Sequence, residues 1–150
     1  MNRLTILLLI FLPSACFSQV FINNTKKEIK EKVVANYIGK ETINPEFSET
    51  DSTLEVKISG KNVIDADYTY KFDLSGKCIS QKTITRCDSC HQALLQSVLD
   101  LKKYKWRKLN QNQYVSKFSK KVLLEIQELD QTFWFMIFKI KLRRKMYRSL

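Results

Sequence analysis

The residues best suited to chemistry fall in one run of five, Cys87-Asp88-Ser89-Cys90-His91. Two cysteines three apart can close a structural disulfide or exchange one with a partner. With a histidine directly after the second, the run also has the form of a c-type haem attachment site. Cys87 and Cys90 would then give the thioethers and His91 the proximal iron ligand, with Met136 or Met146 as the distal one. Zinc on Cys78, Cys87, Cys90 and His91 has the ligand count. Its spacing is irregular, because neighbours on a helix such as Cys90 and His91 project about 100° apart. His91 is the only histidine, so a Ser-His-Asp hydrolase would have to use it. The three glycines form no phosphate-cradling loop.

The helix that follows must position these groups. Ser89 and Gln92 make a capping box, predicting a helix that begins at Cys90. Leu94, Leu95, Val98, Leu99 and Leu101 form its apolar stripe, and His91 is expected to face solvent as the second helical residue. A cysteine at a helix N-terminus meets unpaired N–H groups that stabilise its thiolate, as a thiol-disulfide oxidoreductase requires. The aromatic lead-in and later cis-proline of thioredoxins have no counterpart, since Pro45 lies upstream of the pair.

Residues 1–18 read as a signal peptide. Arg3 is the positive end, Leu4 to Leu12 the apolar run, and cleavage is expected near Ser18/Gln19. A lipoprotein signal ending at Cys16 is the secondary alternative, because Pro13 stands where such signals carry a leucine-like residue. The mature chain is then secreted or periplasmic, keeps Cys78, Cys87 and Cys90, and has no further segment of membrane-spanning length. An odd cysteine count implies one pair and a leftover thiol, or another use for the thiols. A continuous strand from Cys78 to Cys87 would separate those two by roughly 30 Å, against the ~7 Å limit of a disulfide. Cys87 with Cys90 is then the expected pair, unless a bulge or break between Ile79 and Thr85 brings Cys78 within reach.

The remaining elements follow from periodicity. Thr25 with Glu28 caps a first helix whose stripe is Ile29, Val33, Val34, Tyr37 and Ile38, ending at Gly39. Lys40 to Ser52 reads as a loop. Strands are expected around Leu54 to Ile58, Tyr68 to Leu74, and Lys77 to Arg86 with Ile79 and Ile84 as its apolar residues. After the second helix come Trp106 to Leu109, Tyr114 to Phe118, and Val122 to Glu128. The last strand, Phe133 to Leu142, buries Trp134, Met136, Phe138, Ile140 and Leu142, with Phe133, Phe135 and Ile137 on a second apolar face. The expected fold is α+β, two helix-plus-antiparallel-meander units sharing one sheet. It forms a single domain over residues 19–142, followed by a basic tail over 143–150.

The stretch Tyr68-Thr69-Tyr70-Lys71-Phe72-Asp73-Leu74-Ser75-Gly76-Lys77 resembles the aromatic strand and Asp-x-x-Gly-Lys hairpin of small exported PepSY-like and β-lactamase-inhibitor-protein-like modules. The resemblance covers roughly Thr25 to Arg86, and the second half only by element order. It implies a helix packed on a meander and a role in binding or inhibiting proteins; no catalytic residue carries over.

Charge adds the partner's sign. Residues 102–150 hold 14 Lys/Arg against 3 Asp/Glu, whereas residues 19–101 hold 11 against 12. An anionic envelope surface or an unknown protein fits such a third, with Arg143, Arg144, Lys145 and Arg148 as contact candidates; nucleic acid does not suit an exported chain. The function expected is a non-enzymatic exported binding module without cofactor. The alternatives are a monohaem electron carrier and a thiol-disulfide oxidoreductase.

Overall fold

The computed structural model describes residues 19–37, 43, 45–60, 63–116, 122–129 and 132–139. The signal segment, Cys16, Ile38-Gly39, Phe118, Ile140, Leu142, Met146 and the four tail cations lie outside them.

The chain is α+β and mostly sheet. Its elements are α1 (Lys26–Tyr37), β1 (Glu46–Glu49), β2 (Thr53–Ile58), β3 (Ala66–Phe72), β4 (Cys78–Thr85), α2 (Asp88–Leu99), β5 (Trp106–Asn110), β6 (Gln113–Ser116), β7 (Val122–Leu129) and β8 (Thr132–Lys139). Among the described residues, all eight strands join one antiparallel sheet in the order β1-β2-β3-β4-β8-β7-β6-β5. The first meander grows inward to β4. Helix α2 then carries the chain out to the opposite edge, and the second meander returns until β8 pairs with β4.

The Thr25 box forms as expected. Glu28 Oε2 accepts the Thr25 N–H at 2.7 Å, and Thr25 Oγ1 accepts the Glu28 N–H at 3.3 Å. Helix α1 buries Ile29 and Val33, while Val34, expected in the stripe, is 41% exposed. The run Val20-Phe21-Ile22 is also core. Gln81, 1% exposed on β4, ties that run to the sheet: its Oε1 accepts the Phe21 N–H at 3.0 Å and its Nε2 donates to the Gln19 carbonyl at 2.9 Å.

Several strand residues lie elsewhere than periodicity predicts. β1 lies inside the predicted loop, paired to β2 with all four side chains exposed. Leu74 belongs to the β3–β4 turn and is fully exposed. That turn is held by Asp73 Oδ1, which accepts from the Ser75 N–H and the Lys77 N–H, both at 3.0 Å, with Gly76 at φ 72. On β4 the buried residues are Cys78, Gln81, Thr83 and Thr85, so Ile79 and Ile84 are not its core residues. Ile79 is the extra residue where the β3–β4 register shifts. On β8 the core takes Phe135 and Ile137, and Trp134, Met136 and Phe138 are only half-buried on the face away from α2. Both faces of β8 are apolar, and the helix-covered side of the sheet decides which one is core.

Candidate functional site

Helix α2 starts two residues earlier than its capping box suggests. Cys87, not Ser89, is the N-cap, at φ −138° and ψ 124°, and its Sγ accepts the Cys90 N–H at 3.2 Å. Ser89 Oγ lies 3.2 Å from the same sulfur. Cys87 and Cys90 are joined as a disulfide with Cα atoms 5.1 Å apart, and both are half-buried. This is the expected pair. By the chain-entropy relation, closing so short a loop stabilises the fold by only about 2 kcal/mol, less than a longer cross-link would.

The earlier start turns His91 inward. With Leu94, Leu95 and Val98 it forms an i, i+3, i+4, i+7 stripe and is 3% exposed, contrary to the expected solvent-facing position. Its ring centroid lies 5.8 Å from those of both Phe133 and Phe135 on β8. A haem at this motif would need both sulfurs, which bond each other here, and iron at an imidazole packed between helix and sheet.

Among the described residues, Cys78 is the free thiol. It is fully buried, donates to the Ser80 carbonyl at 3.4 Å, and is pushed up to about 12 by burial. It is not brought to the Cys87–Cys90 end, and among the described residues no cluster of three or more His, Cys, Asp or Glu is placed to hold a metal ion.

No protein family, characterised protein or solved structure matches this chain. The functional reading therefore rests on geometry.

That geometry is most specific in the turn after α2. Tyr104 is buried, donates its hydroxyl to the Val20 carbonyl at 3.5 Å and stacks on Trp106 with centroids 5.2 Å apart. Trp106 Nε1 donates to the Val98 carbonyl at 3.0 Å, and Ser116 Oγ to the Tyr104 carbonyl at 2.6 Å. Anchored at Tyr104 and Trp106, the turn leaves Lys102, Lys103 and Lys105 exposed, with Lys105 in the left-handed region at φ 44°. It leads into β5, the edge strand, where Lys108 is exposed and Arg107 half-exposed. In the sequence the three lysines count only within the basic third, whose contact candidates are Arg143, Arg144, Lys145 and Arg148. The absence of acids around them was the signal for more: Leu101 to Leu124 holds eight Lys/Arg and no Asp/Glu.

The face of the sheet opposite α2 carries Ile84 beside Trp134, with Met136 and Phe138 along the same strand. Lys82 Nζ sits 4.5 Å from the Trp134 ring centroid. No helix among the described residues is long and apolar enough to cross a membrane.

Proposed function

We propose that the chain is an exported, non-enzymatic binding module that docks on an anionic envelope surface through the turn after α2 and the β5 edge. The carrying observation is the turn itself: it buries Tyr104 and leaves Lys102, Lys103 and Lys105 exposed, Lys103 with its ammonium 5.0 Å over the Tyr104 ring and Lys105 in a left-handed conformation that a non-glycine residue adopts at a cost. Cations presented on a fixed frame lose little conformational freedom when they meet fixed negative charge. Half-buried Trp134, Met136 and Phe138 on the exposed sheet face supply apolar area of the kind an interface takes up.

Export rests on the leader-like residues 1–18, whose apolar run and small-residue exit suit cleavage near Ser18/Gln19. Processing beyond Gln19 would start removing the core run Val20-Phe21-Ile22. The fold is read as two helix-plus-meander units sharing the sheet, in keeping with the resemblance carried by Tyr68 to Lys77.

The test compares co-sedimentation of the mature chain with zwitterionic vesicles and with vesicles containing anionic phospholipid. Each cation near such a surface is worth about 1 kcal/mol, so the triple charge reversal K102E/K103E/K105E should weaken binding at least 100-fold. Equal binding by the variant and the parent chain would refute the docking surface. Failure of both to bind, with capture of a specific acidic protein instead, would replace the lipid surface by a protein partner.

A further inference from the structure

The Cys87–Cys90 disulfide is not used by the docking surface. As a cross-link it closes one of the shortest loops two cysteines can close, so unfolded-chain entropy gives little reason for it. Its setting is that of a reactive pair. The helix it opens is 12 residues long, the Cys90 N–H points at Cys87 Sγ, the Ser89 hydroxyl touches the same sulfur, and both cysteines keep partial exposure. In the dithiol form, that N–H, that hydroxyl and the positive helix end would all act on a Cys87 thiolate. Cys90, in the first helical turn, lacks the N-cap position. The flanking charges oppose each other, with exposed Asp88 on one side and Arg86, 3.4 Å from Asp67 Oδ2, on the other.

A second feature gives the pair something to act on. A polar groove of about 230 Å³ is lined by Lys57, Asp65, Asp67, Ile84, Thr85 and Arg86 among others, and so runs up to the residue before Cys87. It holds charges of both signs beside Ile58, Ala66 and Ile84, a lining suited to an extended peptide that carries both polar and aliphatic side chains.

We infer that Cys87–Cys90 is an exchange-active disulfide in which Cys87 forms the bond to the partner, a cysteine-bearing extended peptide or protein segment seated in the adjoining groove. In the reducing direction, the Cys87 thiolate attacks one sulfur of the partner's disulfide. A Cys87–partner bond forms, the partner's S–S bond breaks, and the other partner sulfur leaves as thiolate. Cys90, having lost its proton to solvent, then attacks Cys87 Sγ, and the second partner sulfur departs. Two electrons pass from the Cys87/Cys90 dithiol to the partner, whose two thiolates each take a proton from water. With a partner dithiol the same steps run in reverse and the Cys87–Cys90 disulfide is consumed.

The test uses the reduced mature chain and its C90S and C87S variants, treated with iodoacetamide at neutral pH and mapped by peptide mass. Cys87 in C90S should alkylate at least tenfold faster than Cys90 in C87S, and S89A added to C90S should slow Cys87 about two- to threefold. C90S should also trap a mixed disulfide with a cystine-containing peptide at Cys87, while C87S should trap little. Equal alkylation rates at the two positions, both those of an ordinary thiol, would overturn the inference. If the variants do not fold, the wild-type chain decides. Opening of the pair by a moderate excess of reduced glutathione, with the adduct mapped to Cys87, supports the inference. A pair that stays closed at a thousandfold excess is structural and refutes it. None of these readouts depends on the lysines of the docking surface.

Discussion

Replacing Gln81 with leucine should damage the fold far more than a change at one half-apolar strand position suggests. The amide of Gln81 satisfies the buried Phe21 N–H and the part-buried Gln19 carbonyl, and these two bonds hold the core run Val20-Phe21-Ile22 against the sheet. Each bond is worth about 1 kcal/mol net, and stranding a buried backbone group costs a further 1–3 kcal/mol, roughly. The Gln19 carbonyl can partly rehydrate, so only Phe21 is charged in full, giving a loss of about 2–4 kcal/mol. Against a total of roughly 5–15 kcal/mol this is large, and the thermal midpoint should fall by on the order of 10 °C. Urea unfolding followed by circular dichroism gives the free energy, and hydrogen exchange at the Phe21 amide reports the local contact. A variant within about 0.5 kcal/mol of the parent, with Phe21 still protected, would refute the view that Gln81 pins this run.

Further outcomes follow from single positions. Gly76→Ala should cost about 1–2 kcal/mol by denaturant unfolding, purely from its φ of 72°, since an added Cβ meets nothing within 4 Å; one residue pair away in the same turn, Leu74→Ser should change stability by less than about 0.5 kcal/mol, being fully exposed. Thr83→Val should be neutral or stabilising by roughly 1 kcal/mol in the same assay, because the buried Thr83 Oγ1 has no hydrogen-bond partner among the described residues. The native Cys78 thiol, pushed up to about 12 by burial, should resist alkylation at pH 8 until denaturant is added. Its folded value lies above the ordinary 9.0, so the stability it confers is complete below pH 9 and is lost as pH rises toward 12. Cys78→Ala should flatten that alkaline limb of the pH–stability curve.

What the sequence reveals tracks how strongly burial alternates with exposure. β2 is legible because Leu54, Val56 and Ile58 are buried between exposed Glu55 and Lys57. β1 is not, because an edge strand with four exposed side chains is defined by its backbone pairing to β2 alone. β4 hides its inward face because Gln81, Thr83 and Thr85 are polar types placed in the core, and the bulge at Ile79 shifts the alternation by one. β8 shows two apolar faces, and periodicity cannot choose between them. At the candidate site the cysteine pairing is legible from chain geometry. His91 is missed because Ser89 and Gln92 imitate a capping box that Cys87 pre-empts; its 91, 94, 95, 98 spacing was the available signal. The lysine turn is not singled out within the basic third because its rigidity comes from Tyr104 and Trp106 reaching Val20 and Val98, contacts that no local pattern encodes.

The salt dependence of binding to anionic vesicles is the most direct measure of the docking surface. A logarithmic plot of apparent affinity against salt should fall steeply, since exposed cations on β5 and the preceding turn are screened over about 8 Å at physiological ionic strength, and zwitterionic vesicles should not bind. Affinity unchanged from low to physiological salt, or equal on both kinds of vesicle, would contradict the proposed function.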